Sequence, residues 1–375
     1  MDEGNLRDGL KVLMTADTVG GVWTYCVELC RALQNYNVEF HLVTMGAKMK
    51  QWQLDEIEAL ENVHVYETEY KLEWMQSPWD DVEQSGKYLL ELEERIQPDL
   101  IHLNSFSYGS LPFKAPKITV AHSDVFSWWK QVLSDVPSSD WNEYYKRVKE
   151  GLEQSDHIIA PSNTMKGFIN DIYKPETKST TIYNSRSKTL FYKRDKQPYI
   201  FSMGRVWDEG KNIKLLIEAA SNINGEIRIA GDNTFETDSL EIKGSNITFL
   251  GKLNTTEIAR ELSLASIYVL PAKYEPFGLS ALEAALSGCA LVLGDIDSLR
   301  EIWQDNAVYV NTNGAEELAR TINKLLDDHV QLSAFASWAE KHSQHFSTDK
   351  MATGYFNIYK QLAQQNTPKQ KYELA

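Results

Sequence analysis

Two carboxylates eight positions apart, Glu275 and Glu283, bracket the stretch of this chain best suited to chemistry. Glu275 follows an apolar run at 267–270 and Pro271, which reads as the end of a short buried strand. Gly278 then lets another backbone or a phosphate approach closely. Leu279 and Ser280 open an Ala- and Leu-rich run that stops at Gly288, as a helix does. The first N–H groups of such a helix favour an anion. Glu283 falls about one turn further in, where its carboxylate can accept hydrogen bonds from a vicinal diol such as a ribose. A second glycine-flanked loop carries Gly204-Arg205 and, six residues on, Lys211. Two cations on one strand-to-helix loop suit a diphosphate. Anion seat, cations and paired carboxylates together fit a nucleoside diphosphate joined to a sugar.

Such residues need elements to hold them. Strand 267–270, helix 279–287 and strand 290–293 make a βαβ unit with parallel strands and a right-handed crossover. In open parallel sheets, ligands sit beyond the carboxyl ends of the strands. The chain repeats this pattern twice. A first array has apolar strands at 11–14, 41–44, 63–66, 100–103, 118–121, 157–160 and 180–183. Gly20-Gly21 forms a tight turn before an amphipathic helix at 22–33. Polar helices are expected at 74–97 and 140–154, and Pro161-Ser162-Asn163 caps another. A second array has strands at 199–203, 227–230 and 247–250 ahead of the βαβ unit, with Gly231 just past the second of these. Helices follow at 257–264, 315–326, 331–342 and 350–364. The expected division is a first domain at 1–184, a polar linker at 185–198 and a second domain at 199–349. The tail at 365–375 is polar and expected to be disordered.

His122, Ser123 and Asp124 lie just past the strand at 118–121, at a carboxyl end. A histidine there is either a hydrogen-bonded structural residue or a group facing a ligand. Trp128 and Trp129 follow; neighbours cannot share one helix face, so one of them is expected to border a cleft or a partner. The other reading is that both pack a loop.

The chain has 375 residues, enough for two cores. Its 53 acidic and 38 basic residues leave a net charge of −15, which argues against a nucleic-acid partner. No apolar run is long enough to span a membrane, and the N-terminus is too polar for a signal peptide. Contact with a membrane surface stays open. Cys26, Cys30 and Cys289 give neither a disulfide framework nor zinc spacing. The expectation is a cytoplasmic, reduced protein.

Glu-Pro-Phe-Gly-Leu with a second glutamate eight residues after the first resembles the signature of the retaining GT-B glycosyltransferases of family 4. The resemblance implies an α/β protein of two Rossmann-like domains whose parallel sheets face a central cleft. It covers nearly the whole chain and is densest from 199 to 303. It implies transfer of a sugar from a nucleotide-diphosphate donor to a hydroxyl of a small molecule or glycan, with retention at the anomeric carbon and no cofactor. By this resemblance Gly20 and Gly21 line the cleft, and Arg205 and Lys211 hold the diphosphate. Gly231 lies near the base, and Glu283 binds the ribose. Glu275, Phe277, Gly278 and Leu279 hold the transferred sugar. His122, with Asp124, Trp128 and Trp129, stands on the acceptor side; the helix at 350–364 crosses back to the first domain. Asn184-Ser185 departs from the family's Asn-Gly. The catalytic set so implied is Glu275, His122, Arg205 and Lys211. Asp295-Ile-Asp297 has the spacing of a metal motif, yet the cations above can supply the charge, so no metal is expected. Two other readings stay open: another GT-B enzyme such as a nucleotide-sugar epimerase, and a non-catalytic nucleotide-sugar-binding module.

Overall fold

A computed structural model describes residues 9–231 and 246–366. Two all-parallel sheets organise them. The first half runs β1 (Leu10–Asp17), α1 (Gly21–Leu33), β2 (Val38–Met45), α2 (Gln51–Glu58), β3 (Val63–Tyr66), α3 (Trp79–Ile96) and β4 (Leu100–Leu103). It continues with β5 (Lys117–Val120), α4 (Val125–Val132), α5 (Asn142–Gln154), β6 (His157–Ala160), α6 (Asn163–Tyr173) and β7 (Ser179–Thr181). Its seven strands lie in the order β3-β2-β1-β4-β5-β6-β7.

The second half opens with β8 (Gln197–Met203), α7 (Ile213–Ala219), β9 (Glu226–Ala230), β10 (Ile247–Gly251) and α8 (Thr255–Leu264). Next come β11 (Ala265–Leu270), α9 (Leu279–Leu286), β12 (Ala290–Gly294), α10 (Asp297–Trp303) and β13 (Val308–Val310). Its six strands lie in the order β10-β9-β8-β11-β12-β13. Helices α11 (Ala315–Asp327), α12 (His329–Ser343) and α13 (Thr348–Asn366) close the described chain.

The central strands are apolar on both faces because helices cover both. β4, β6, β11 and β12 are buried at every residue. Each sheet reverses its winding once, between β1 and β4 in the first and between β8 and β11 in the second. A crevice opens at such a switch point, beyond the strand ends. Asp17 and Asn104 stand at the first, and Gly204-Arg205 and the 271–278 loop at the second.

Three features differ from the sequence expectation. The segment expected as a polar linker buries Arg186 and Phe191, and β8 takes up its last two residues. Helix α2 was not foreseen, because its sequence Gln-Trp-Gln-Leu-Asp-Glu-Ile-Glu buries only Gln53 and Ile57. Of the tail expected to be disordered, 365 and 366 belong to α13, and 367–375 lie outside the described residues. Helix α13 packs against α1, with Met351, Tyr355, Tyr359 and Leu362 in the core of the first domain. Among the described residues no helix is long and apolar enough to cross a membrane.

Candidate functional site

Beyond β8 the backbone narrows at once. Gly231 has φ +144, and a Cβ there would lie 1.8 Å from the Gly204 carbonyl oxygen, so only glycine lets the two strand ends meet. The loop from β8 to α7 then carries both cations. Arg205 donates to Asp208 Oδ2 at 2.8 Å, and Asp208 Oδ1 accepts from the Gly210 N–H at 2.9 Å. One carboxylate thus fixes the guanidinium and the turn together. The Gly210 carbonyl accepts from the N–H groups of Lys273 and Tyr274, at 2.9 and 3.1 Å, which ties this loop to the one after β11.

Glu275 closes the arrangement. Its Oε2 accepts from the Lys211 ammonium, and its Oε1 from the Gly278 N–H at 3.1 Å. Ser298 donates to the Glu275 carbonyl at 2.6 Å. Gly278, at φ +89, is the left-handed N-cap that starts α9. Two donors suited to an anion, an ammonium and a helix-opening N–H, therefore converge on one buried carboxylate. Glu283 lies inside α9 with its Oε1 2.7 Å from Arg186 Nε. Burial pushes its carboxyl up, and the guanidinium opposes that. The sequence reading left both oxygens of Glu283 for a diol; Arg186 takes one of them.

The facing half comes from the first domain. Gly20 (φ +103) and Gly21 form an exposed turn at the start of α1. His122 Nε2 stands 2.8 Å from Asn104 Oδ1. The Asn104 amide donates to the Thr15 carbonyl at 2.6 Å, so its oxygen faces the imidazole, which makes Nε2 the protonated nitrogen. Burial lowers the His122 pKa to about 3, so the ring is neutral near pH 7. It can orient a hydroxyl but brings no charge.

Two calls need correction. Asp124 was placed on the acceptor side, yet it is the N-cap of α4. Its Oδ1 accepts from the Phe126 and Ser127 N–H groups and from the Tyr173 hydroxyl at 2.9 Å, and its Oδ2 from the Ser127 hydroxyl. Both oxygens are used inside the fold. Phe277 was counted with the donor contacts, but its ring is buried against Tyr183 and Phe346 in the second domain's core. Trp128 reaches across the cleft, with Nε1 3.4 Å from Asp208 Oδ1, while half-buried Trp129 packs edge-on against it. Leu279 heads α9 beside Gly278. Asp295 pairs with Arg300 at 2.5 and 2.8 Å, and no metal-binding cluster occurs among the described residues.

Four residues escaped the sequence reading. Asp17 ends β1, 7% exposed, and the Arg205 charge counters the upward push of burial on its carboxyl; its place at a strand end before Gly-Gly was a usable signal. Asp208 and Arg186 carried none, because each looked like one more surface charge. Tyr274 sits next to Glu275, and its hydroxyl lies 2.7 Å from Ser127 Oγ in the opposite domain.

Comparison with known proteins bears on the family and the fold. Residues 19–186 match the family described as Glycosyltransferase Family 4, and residues 185–342 that described as Glycosyl transferases group 1. An uncharacterised glycosyltransferase of Methanocaldococcus jannaschii is 24% identical over 383 residues, covering 91% of this chain and 94% of its own. Sucrose-phosphate synthase from Thermosynechococcus elongatus has a similar structure, with TM-score 0.80 and 18% identity over 95% of this chain and 100% of that one. HepE of Anabaena, solved with UDP-glucose, gives TM-score 0.72 at 16% identity over 94% and 100%.

Proposed function

The chain belongs to glycosyltransferase family 4, with a group 1 glycosyl transferase second half, and from that premise we propose a reaction and roles for its residues. The reaction moves a hexosyl group from a nucleotide-diphosphate sugar to an acceptor hydroxyl, with retention and without a metal. The acceptor oxygen bonds to the anomeric carbon as the bond from that carbon to the diphosphate breaks. The electron pair leaves on the diphosphate, and the departing phosphate oxygen takes the proton of the acceptor hydroxyl. Arg205, Lys211 and the N–H groups opening α9 neutralise that charge, where a preorganised, partly buried site is most effective. Glu283 accepts a hydrogen bond from the ribose. Glu275 lies beside the transferred sugar, and His122, neutral and held by Asn104, orients a hydroxyl from the other side.

The observation that carries this reading is the convergence of Lys211 and the Gly278 N–H on one carboxylate at the switch point of the second sheet. The same donors can receive a diphosphate once Glu275 turns to the sugar. The test uses UDP-, GDP- and ADP-sugars with water and simple alcohols as acceptors, following nucleoside diphosphate release. One donor should turn over, unaffected by excess EDTA. Glu275→Gln should slow turnover while nucleoside diphosphate binding, read by calorimetry, holds or tightens because Lys211 loses its partner. Binding lost with turnover unchanged would reverse the assignment, and restoration by manganese after chelation would sink the metal-free mechanism.

A further inference from the structure

Three charged side chains meet where the two domains join. Arg186, on the connecting segment, is 5% exposed. Its NH1 donates to Glu28 Oε2, on α1, at 3.0 Å, and its Nε stands 2.7 Å from Glu283 Oε1, on α9. The second contact is close but out of line for a hydrogen bond, so charge holds it. The guanidinium also lies over the Phe191 ring at 5.1 Å. Glu28 is almost fully buried and keeps one oxygen, Oε1, with no hydrogen-bond partner; Arg31 approaches its other oxygen only to 3.5 Å. Two buried carboxylates therefore share chiefly one guanidinium.

Such a cluster is a poor way to stabilise a fold, because desolvating the charges offsets most of their attraction. Its position suggests another use. Arg186 occupies one oxygen of Glu283 and fixes the side chain's direction. It also supplies the positive charge that a buried carboxylate needs to stay ionised. Without it Glu283 would face the carboxylates of Glu28, on α1, and Glu56, on α2, in a dry site and would take up a proton.

We propose that Arg186 is a positioning residue of the donor site, holding Glu283 as an oriented anion with one oxygen free for a single ribose hydroxyl. This rests on the assignment of Glu283 to the ribose. Because Glu28 belongs to the first domain, the setting of the ribose contact depends on both domains being in place. Arg186 itself need not touch the nucleotide.

The experiment measures binding of UDP, GDP and ADP to the intact protein by calorimetry, then repeats it with the 2′-deoxy and 3′-deoxy forms of the nucleotide bound best. The wild type should bind the ribonucleotide about tenfold to a hundredfold tighter than one deoxy form, as for a hydrogen bond to a charged group. Arg186→Gln should bring that ratio close to one at pH 7. The ratio should rise again as pH is raised and Glu283 ionises, a response that a merely structural role would not produce. Arg186→Lys should keep much of it. If Arg186→Gln does not fold, Arg186→Gln combined with Glu28→Gln removes the surplus carboxylate and should show the same loss and recovery. If the wild type binds a nucleotide without such discrimination, or binds none, the ribose assignment fails and takes this proposal with it. If the wild type discriminates, Glu283→Gln does not, and the Arg186 variant still does at pH 7, only the proposal for Arg186 is overturned.

Discussion

Asp17 shows how one side chain near the cleft can set a property of the whole protein. Burial is the main influence on its carboxyl, opposed by the Val19 N–H at 2.5 Å and by Arg205 across the cleft, and its pKa rises from 3.8 to about 7. In the unfolded chain it titrates near 3.8. Between these values the folded state binds a proton that the unfolded state does not, so its contribution to stability is complete below about pH 4 and is lost as pH rises through 7. His102 and His122 act in the opposite sense. Burial lowers both to about 3, so their contribution is present above pH 6.5 and is lost as pH falls toward 3. Asp17→Asn removes only the first effect. Measured by urea unfolding, its stability relative to wild type should climb between pH 4 and 7 by on the order of 4 kcal/mol and then level off. A difference that stays constant over that range would show that Asp17 is ionised in the fold throughout.

Helix α6 illustrates what an element needs from elsewhere in the chain. Its own Ser162 caps it, accepting from the Met165 N–H at 3.0 Å. Two further N–H groups, of Asn163 and Thr164, donate at 2.7 Å each to the carboxylate of Glu301, which belongs to α10 of the second domain. These contacts hold the Glu301 carboxyl below its usual range in spite of burial. Glu301→Ala should cost about 1 kcal/mol, the usual worth of a cap, and more than Glu301→Gln, which keeps an acceptor oxygen; thermal unfolding of the two variants would separate them. The Ser162 cap could be read from sequence, since its partner is three residues away. The Glu301 cap could not, since its partner is 137 residues away. The same division runs through the fold and the site. The inner strands were legible because burial on both faces leaves continuous apolar runs. Helix α2 was not, because it buries little. Glu275, Gly278 and Glu283 share one local motif and stood out. The pairing of Lys211 with Glu275 spans 64 residues and emerges only when β8 and β11 lie side by side, and that of Arg186 with Glu28 spans 158 and emerges only when the two domains meet.

The two domains meet through side chains that lie beside the site. Tyr274 crosses to Ser127, Trp128 to Asp208, and Thr255 donates to Glu56 at 2.7 Å. Glu301 crosses to α6, and Arg186 joins Glu28 to Glu283. Helix α13 returns to the first domain, where the Tyr359 hydroxyl meets His102 Nδ1 at 2.5 Å. Closure of such a cleft works through a hinge, and a ligand shifts it only as far as it prefers the closed form. Tyr274 and Glu301 are the contacts that can be removed with the least change to the anion seat, since Phe keeps the ring of the first and Ala removes only the carboxylate cap of the second. Loss of both should open the cleft without unfolding either domain, because α13 and the connecting segment stay in place. Small-angle scattering of Tyr274→Phe combined with Glu301→Ala should give a larger radius of gyration than wild type. Saturating nucleoside diphosphate should draw it back if the ligand bridges the Gly20-Gly21 turn and the proposed Arg205 and Lys211 seat. A scattering curve identical to wild type would mean that α13 and the buried junction around Arg186 set the closed arrangement, and that Tyr274 and Glu301 follow it rather than hold it.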